Sequence, residues 1–389
     1  MGIPRHSGPS GSIAFYLPHL KMGGAERTVL RLAAAFRTRG RAVHLVLDQA
    51  IGELVAEADG FGLPVEDLGA GRAITALPRL AGWLRRRRPA ALISAISHNN
   101  VIAVWARAMA GVDTRIIVGE HSVASLQAMS EPSWQHRIMP LLARLVYPRA
   151  DAIVAVSDSA ADALAESAHL PRRLITVIPN PVVDEGFASR AALPAPHQWL
   201  AGDGPPVIVA AGRLVPLKDF ATLIRAFAVV AGRRPARLLI LGEGPCRGEL
   251  ERLIDESGLR DVVHLPGNVP DVAPYFARAA AVVMSSRYEG FGLVLVEAMA
   301  CGTPVVSTDC PGGPRELLED GRLGPLVPVG DAEGLAEAIL DTLDSPPPAP
   351  ALRARASKYG VAASADRYLD LCDSLRDIRP TIHSVARTG

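Results

Sequence analysis

Several things are scarce or missing in this 389-residue chain, and each narrows what it can be. No apolar run approaches the roughly 18–20 residues that cross a bilayer, which argues against a transmembrane protein. The N-terminus has no basic start followed by an unbroken apolar stretch, so no secretory leader is expected. There are four cysteines, Cys246, Cys301, Cys310 and Cys372, and none has metal-ligand spacing. Free thiols in a reducing cytoplasm are the simplest account of them. No Asp-x-Asp pair occurs: Asp271 and Asp309 stand alone, and Asp341 and Asp344 fall on one predicted helix. No metal is therefore expected to be required. No Gly-x-Gly-x-x-Gly follows the first apolar run, Ile13–Leu17, which argues against a dinucleotide-binding oxidoreductase. An excess of one charge is also absent. The formal net charge is +1, and no nucleic-acid partner is expected.

What is present points to a globular enzyme of two domains, with ample core for its length. Apolar runs alternate with amphipathic segments. Ile13–Leu17, Val43–Leu47, Ala91–Ala95, Arg115–Val118, 152–156 and 175–178 read as strands of a first half. Val207–Ala210, Arg237–Leu241, 262–265, Ala281–Met284, 304–307 and 325–329 read as strands of a second. Helices are expected between them, including 25–39 and 78–88. Such alternation means parallel sheets wrapped by helices, hence an α/β fold. The expected boundaries are an N-terminal Rossmann-like domain over 1–187, a linker rich in Ala, Pro and Gly over 188–206, a C-terminal Rossmann-like domain over 207–350, and a helical tail over 351–389. Ser157 is the expected N-cap of a helix starting near Ser159.

The richest stretch runs from Arg287 to Ala300. A buried strand ending Val282-Val283-Met284 leads into Glu289-Gly290-Phe291-Gly292-Leu293 and then a helix carrying Glu297. Glycines let backbone approach a ligand closely, and a helix start offers unpaired N–H groups and a positive dipole end to an anion. Glu289 lies at the mouth of the turn. Glu297 lies deeper, where a carboxylate can accept both hydroxyls of a ribose. Phosphate donors flanked by hydroxyl acceptors suit a nucleotide sugar. A second constellation follows the strand beginning at Val207: Gly212, Arg213 and Lys218, at the strand's carboxyl end, where open α/β sheets bind ligands. A guanidinium fork and a flexible ammonium can neutralise a leaving diphosphate. The bland alternative is a loop pair of solvated charges.

Gly212-Arg213-Leu214 with Lys218, Gly242-Glu243-Gly244-Pro245, Glu289-Gly290-Phe291-Gly292 with Glu297, and Gly302-Thr303-Pro304-Val305-Val306 resemble the retaining glycosyltransferases of family 4. Gly23-Gly24-Ala25-Glu26-Arg27 and Ile178-Pro179-Asn180-Pro181 fit as well. The resemblance runs from about Ile13 to Leu340. Gly119-Glu120-His121-Ser122 and the segment from Cys310 to Glu316 resemble a subgroup that adds N-acetylgalactosamine or a related hexose to lipid-linked oligosaccharides. One departure is the run Ala279-Ala280-Ala281, where the family usually has an Asp.

The resemblance implies a GT-B fold, two Rossmann-like domains with parallel sheets facing across a cleft and a C-terminal helix crossing back to the first domain. It implies metal-independent transfer of a hexose or N-acetylhexosamine from a nucleotide sugar, UDP-linked, to a hydroxyl of a glycan or lipid-linked acceptor, with retention. Arg213 and Lys218 would stabilise the leaving diphosphate, and Glu289 would hold donor-sugar hydroxyls. Glu297 would take the ribose, and the backbone of Gly290, Phe291, Gly292 and Leu293 would take phosphate or sugar. Asn268 and Val269 would lie against the base. Gly23 and Gly24 would supply a second helix start to the diphosphate. His121, after the strand Arg115–Val118, would hydrogen-bond a sugar hydroxyl or phosphate; otherwise it is a polar loop residue. His98 and Asn99, after Ala91–Ala95, can touch the acceptor. A GT-B-fold epimerase and a non-catalytic nucleotide-sugar binder stay open as alternatives.

The N-terminal 184 residues carry 20 Lys+Arg against 15 Asp+Glu, so this half is the one expected to meet an anionic membrane surface. Arg85–Arg88 with Trp83, and the segment around Trp134, are the expected contacts, with helix capping by the arginines as the alternative. The expected location is cytoplasmic and peripheral on the inner face of the cell membrane.

Overall fold

A computed structural model describes residues 11–120, 134–194 and 197–377. Its strands, in chain order, are β1 Ile13–Leu17, β2 Val43–Leu47, β3 Val65–Asp67, β4 Ala91–Ala95, β5 Arg115–Glu120, β6 Ala152–Ala155 and β7 Ile175–Val177, then β8 Val207–Ala211, β9 Arg237–Leu241, β10 Val263–Gly267, β11 Ala281–Met284, β12 Val305–Thr308 and β13 Leu326–Val327. The first seven form one sheet in the order β3-β2-β1-β4-β5-β6-β7, and the last six another in the order β10-β9-β8-β11-β12-β13. β1 pairs in parallel with β2 and β4, and β11 with β8 and β12, for example Ile13 with Val43 and Val282 with Val305. These are the two Rossmann-like sheets of the GT-B fold. The chain divides into two compact units, one drawn from residues 1–119, 142–153 and 365–389, the other from 120–141 and 154–364.

The central strands are buried along their whole length, as in β1, β4, β8 and β11. Parallel strands covered by helices on both faces must be apolar on both, and their sequences are accordingly continuous apolar runs. In the second sheet Ile208, Leu238, Val283 and Val306 pack against Phe220, Leu223 and Phe227 from the helix Phe220–Arg233, and against Leu335 and Ile339 from the helix Ala332–Asp344.

Sheet order positions the site. In both sheets the first strand of the unit lies centrally, so β8 neighbours β11 and β11 neighbours β12. The loops leaving their carboxyl ends, Gly212–Asp219, Ser285–Gly292 and Asp309–Gly313, therefore emerge side by side.

The tail is helical, in more than one piece. It forms a helix Ala349–Ala356, a 3-10 turn Ser357–Tyr359, and a long helix Val361–Asp377 broken from it at Gly360. The break lets Val182 N and Val183 N donate to Tyr359 O at 2.9 and 3.1 Å. The last helix lies on the first unit's helix Gly24–Thr38 and its end: Arg39 Nε pairs with Asp366 at 2.7 Å, and Arg41 pairs with Asp373.

Candidate functional site

The second unit gathers the charged groups named from the sequence. Lys218 ends a 3-10 turn, Pro216–Lys218, that follows β8. Its Nζ pairs with Glu289 Oε1, although Glu289 leaves β11. Both side chains are mostly buried, 20% and 13% exposed, so their attraction is screened less than on the surface. Ser286 Oγ donates to the same Glu289 oxygen at 2.7 Å. Ser285 Oγ donates to Lys218 O at 2.8 Å, and Arg287 N donates to Leu217 O at 2.8 Å. Arg213 follows directly on Gly212 and is exposed, at the carboxyl end of β8.

Glu289 sits where two backbones touch. Its N donates to Pro311 O at 3.0 Å, and it bridges Gly312 in parallel. A Cβ at Gly312 would stand 1.5 Å from Glu289 O, and one at Gly313 would stand 2.0 Å from Phe291 O. Only glycine permits that approach, so the Gly312-Gly313 pair is the floor under the Glu289 turn. Similarly, a Cβ at Gly242 would stand 1.9 Å from Gly212 O, and one at Gly244 would stand 2.4 Å from Leu214 O.

Gly292 has φ 98 and is the N-cap of the helix Leu293–Cys301, with no side-chain capping bond. An L-residue is strained there, and a glycine N-cap brings no side chain to the first N–H groups of the helix. Glu297 stands in the second turn and is only 8% exposed. It is the sole charged residue of that helix. Phe291 is buried with its ring edge-on to Tyr359 at 5.3 Å, and Arg355 lies 5.3 Å over Tyr359. The Phe291 side chain is thus a packing group, and only its backbone is available to a ligand. Ser157, the N-cap of the helix Asp158–Ala168, accepts from Ala160 N at 3.1 Å and donates from Oγ to Gly290 O at 3.2 Å. Asp158 N donates to Glu316 Oε2 at 3.1 Å. Burial raises the Glu316 pKa, partly offset by that backbone bond. Asn268 and Val269 follow directly on β10, Asn268 exposed and Val269 half-buried.

The first unit holds Gly23, Gly24, His98 and Asn99. Gly23 is an N-cap without a side-chain bond, and a Cβ there would stand 2.1 Å from Glu26 Oε2. The Glu26 carboxylate therefore folds back over the helix start. Asn99 is fully buried and donates from Nδ2 to Asp48 Oδ2 at 3.2 Å, while Tyr16 OH donates to Asp48 Oδ1 at 2.6 Å. Burial raises the Asp48 pKa, against the pull of both hydrogen bonds. His98 is exposed at its surface, yet crowded enough that desolvation, followed by the charge of His19, lowers its pKa. Ile96, just before the helix Ser97–Ala110 that carries His98 and Asn99, has φ 83. A β-branched residue in that region stores on the order of 1–3 kcal/mol of strain, as functional loops often do. His121 lies outside the described residues.

Sequence reasoning missed Ser285, Ser286 and Asp48. The first two are small polar residues at the end of an apolar strand, with no motif of their own. Asp48 followed Val43–Leu47 at a carboxyl strand end, a signal available and unused. Trp83 is a correction. It is 2% exposed and packs edge-on to His44 at 5.9 Å, so it cannot lie in a membrane interface. Its helix, Ala73–Arg87, is amphipathic, and Trp83 shares the inward face with Leu80 and Leu84. Among Arg85–Arg88, Arg85 Nε donates to Ala110 O at 3.2 Å and Arg87 pairs with Glu66 at 2.6 Å. The side-chain cluster that would hold a metal, three or more of His, Cys, Asp and Glu, does not occur among the described residues.

The chain is similar to known proteins along most of its length. Residues 22–185 match the family described as Glycosyltransferase Family 4, and residues 205–345 match Glycosyl transferases group 1. The chain is 38% identical over 202 residues, 51% of its length, to the exopolysaccharide phosphotransferase SCO2592 of Streptomyces coelicolor. It is 30% identical over 249 residues, 64% of its length, to the N-acetylgalactosamine-N,N'-diacetylbacillosaminyl-diphospho-undecaprenol 4-alpha-N-acetylgalactosaminyltransferase of Campylobacter jejuni. These matches span 20% and 66% of the relatives' own lengths. The crystal structure of Anabaena Alr3699/HepE in complex with UDP and glucose superposes with a TM-score of 0.78 at 24% identity, over 94% of this chain and 100% of that one, which shows the fold. The two family matches together take in most of the chain, and it belongs to the group 1, family 4 glycosyltransferases with a GT-B fold.

Proposed function

We propose that this protein transfers a hexose or N-acetylhexosamine from a UDP-sugar to a hydroxyl of a glycan or lipid-linked acceptor, with retention. The observation that carries the reading is the convergence of Lys218, Ser286 and Glu289 at the ends of β8 and β11, with Arg213 and Glu297 in the same unit. Two cations and an uncapped helix start can meet a diphosphate without a metal, and Glu297 supplies a ribose acceptor. Binding of donor would draw Lys218 from Glu289 toward the diphosphate and free Glu289 for sugar hydroxyls. As the bond to the diphosphate breaks, the charge of Lys218 and Arg213 matters most. The acceptor hydroxyl attacks on the face the diphosphate leaves, and its proton passes to the departing phosphate oxygen. Asn268 and Val269 would flank the base, and Gly23 and Gly24 would reach the diphosphate once Glu26 withdraws. His121 would act on the donor sugar. His98 would meet the acceptor directly, with Asn99 acting through Asp48. The Campylobacter relative, whose name specifies a lipid-linked acceptor, and the UDP named in the HepE structure support the acceptor and donor classes.

A lipid-linked acceptor is met at a surface. The helix Trp134–Val146 exposes Ile138, Leu141 and Leu145 at 39%, 56% and 53%, one stripe at helical spacing, with exposed Arg144 beside Leu145. This supports peripheral contact with anionic lipid in the cytoplasm. No helix among the described residues is long and apolar enough to cross a membrane.

The test is a panel of UDP- and GDP-sugars assayed for nucleoside diphosphate release, with and without membrane lipid extract. Release from a UDP-sugar that depends on the extract is expected. Donor conversion without any acceptor would favour an epimerase, and binding without turnover a non-catalytic binder. Sedimentation with anionic vesicles at low salt should fall when Ile138, Leu141 and Leu145 become Ser. Unchanged sedimentation would remove the stripe from the membrane contact.

A further inference from the structure

We propose that Ser286 is a positioning residue for Glu289, anchoring the carboxylate oxygen Oε1 that it shares with Lys218, so that Oε2 is presented to the donor sugar as Lys218 turns to the diphosphate. The inference rests on the reading of Glu289 just given. Both internal partners of the carboxylate, Lys218 Nζ and Ser286 Oγ, bind the one oxygen Oε1. Oε2 accepts no hydrogen bond from a described residue.

Ser286 is itself fixed. It is 1% exposed, and its carbonyl accepts from Thr308 Oγ1 at 2.6 Å, from the end of β12. Its neighbour Ser285 donates to Lys218 O instead. Successive side chains of extended chain point to opposite sides, so one serine sets the backbone of Lys218 and the other the carboxylate of Glu289. A hydroxyl suits this task. It contributes a bond to the carboxylate without a second positive charge, which would compete with Lys218.

The test uses Ser286→Ala and the conservative Ser286→Thr. The chain has only three lysines, Lys21, Lys218 and Lys358, so acylation of each can be followed by peptide mapping. Lys21 and Lys358 are exposed and serve as internal references. In S286A the carboxylate loses its anchor, and Lys218 should be acylated at least about threefold faster relative to the references, with S286T returning toward wild type. Turnover of a UDP-sugar should fall about tenfold in S286A and recover in S286T, while UDP affinity stays within about twofold. An unchanged Lys218 labelling ratio in S286A would overturn the proposal. So would equal loss of UDP affinity in both variants, which would mean that Ser286 serves only the fold. If the wild type releases diphosphate from no nucleotide sugar, the functional reading fails, and the labelling ratio still decides the role of Ser286.

Discussion

The ammonium of Lys218 is paired with the carboxylate of Glu289, 71 residues further along the chain. The two charges satisfy one another in a mostly buried setting. On the function proposed, a donor would exchange partners with this pair rather than find two waiting groups, and Arg213, exposed in the loop that carries Lys218, would be the second cation.

Lys218→Ala and Arg213→Ala should consequently depress turnover more than donor affinity, on the order of 10²–10³-fold in kcat for a lost electrostatic contact at the leaving group. Steady-state kinetics at saturating UDP-sugar will show this, and near-normal kcat in either variant contradicts the assignment. Activity should also survive EDTA. Loss that Mg²⁺ or Mn²⁺ restores would show that a cation takes part.

Glu297→Ala should weaken UDP binding by about 1–3 kcal/mol, because ribose hydroxyls lose a charged acceptor. Calorimetric titration of UDP onto both proteins measures it. Equal affinities would take Glu297 out of the ribose role and leave it as a buried group of the helix Leu293–Cys301.

Gly312→Ala should destabilise the protein by at least about 1–3 kcal/mol from backbone strain alone, since φ is +116 and the new Cβ would meet Glu289 O at 1.5 Å. Turnover should fall with it, because relief of the clash moves Glu289. Gly232→Ala, where nothing lies within 4 Å, is the control and should be neutral to stabilising by up to about 1 kcal/mol. Thermal melts of the two variants that coincide would show that the Glu289 turn tolerates displacement.

Asp48 gives a pH signature. Burial raises its pKa above the ordinary carboxylate value, so the native state holds this proton more tightly than the unfolded state. The contribution of Asp48 to stability is thus fully present below its ordinary pKa and is lost as pH rises through the native one. Asp48→Asn cannot titrate. The melting temperature of wild type minus that of D48N should therefore decline as pH climbs from about 4 to about 7. A flat difference over that range would mean that Tyr16 and Asn99 compensate the burial fully.

Strands buried on both faces announced themselves as unbroken apolar runs, and β1, β4, β9 and β11 have the bounds read from sequence. The three-residue β3 did not, because Val65 and Glu66 are half-buried and Asp67 is exposed at the edge of its sheet, where the pattern is polar. The tail was legible as helical but its break at Gly360 was not, because the break is made by pairing with Val182 and Val183, about 180 residues earlier. Trp83 beside four arginines looked like an interfacial anchor. Helical period turned it to the core, where His44 packs on it.

What the sequence alone determined is the local chemistry. Glycines at Gly292 and Gly312, the cations after β8, and the two carboxylates flanking a helix start are properties of short segments, fixed by backbone sterics and by the end of a strand. The tertiary structure decided which of these groups meet. Lys218 reaches Glu289, Ser286 takes the same carboxylate oxygen, and Gly312 lies under the turn because β8, β11 and β12 are neighbours in a parallel sheet. Strand order is set by packing of whole helices and strands against one another, and that information is spread over the core rather than written in any motif.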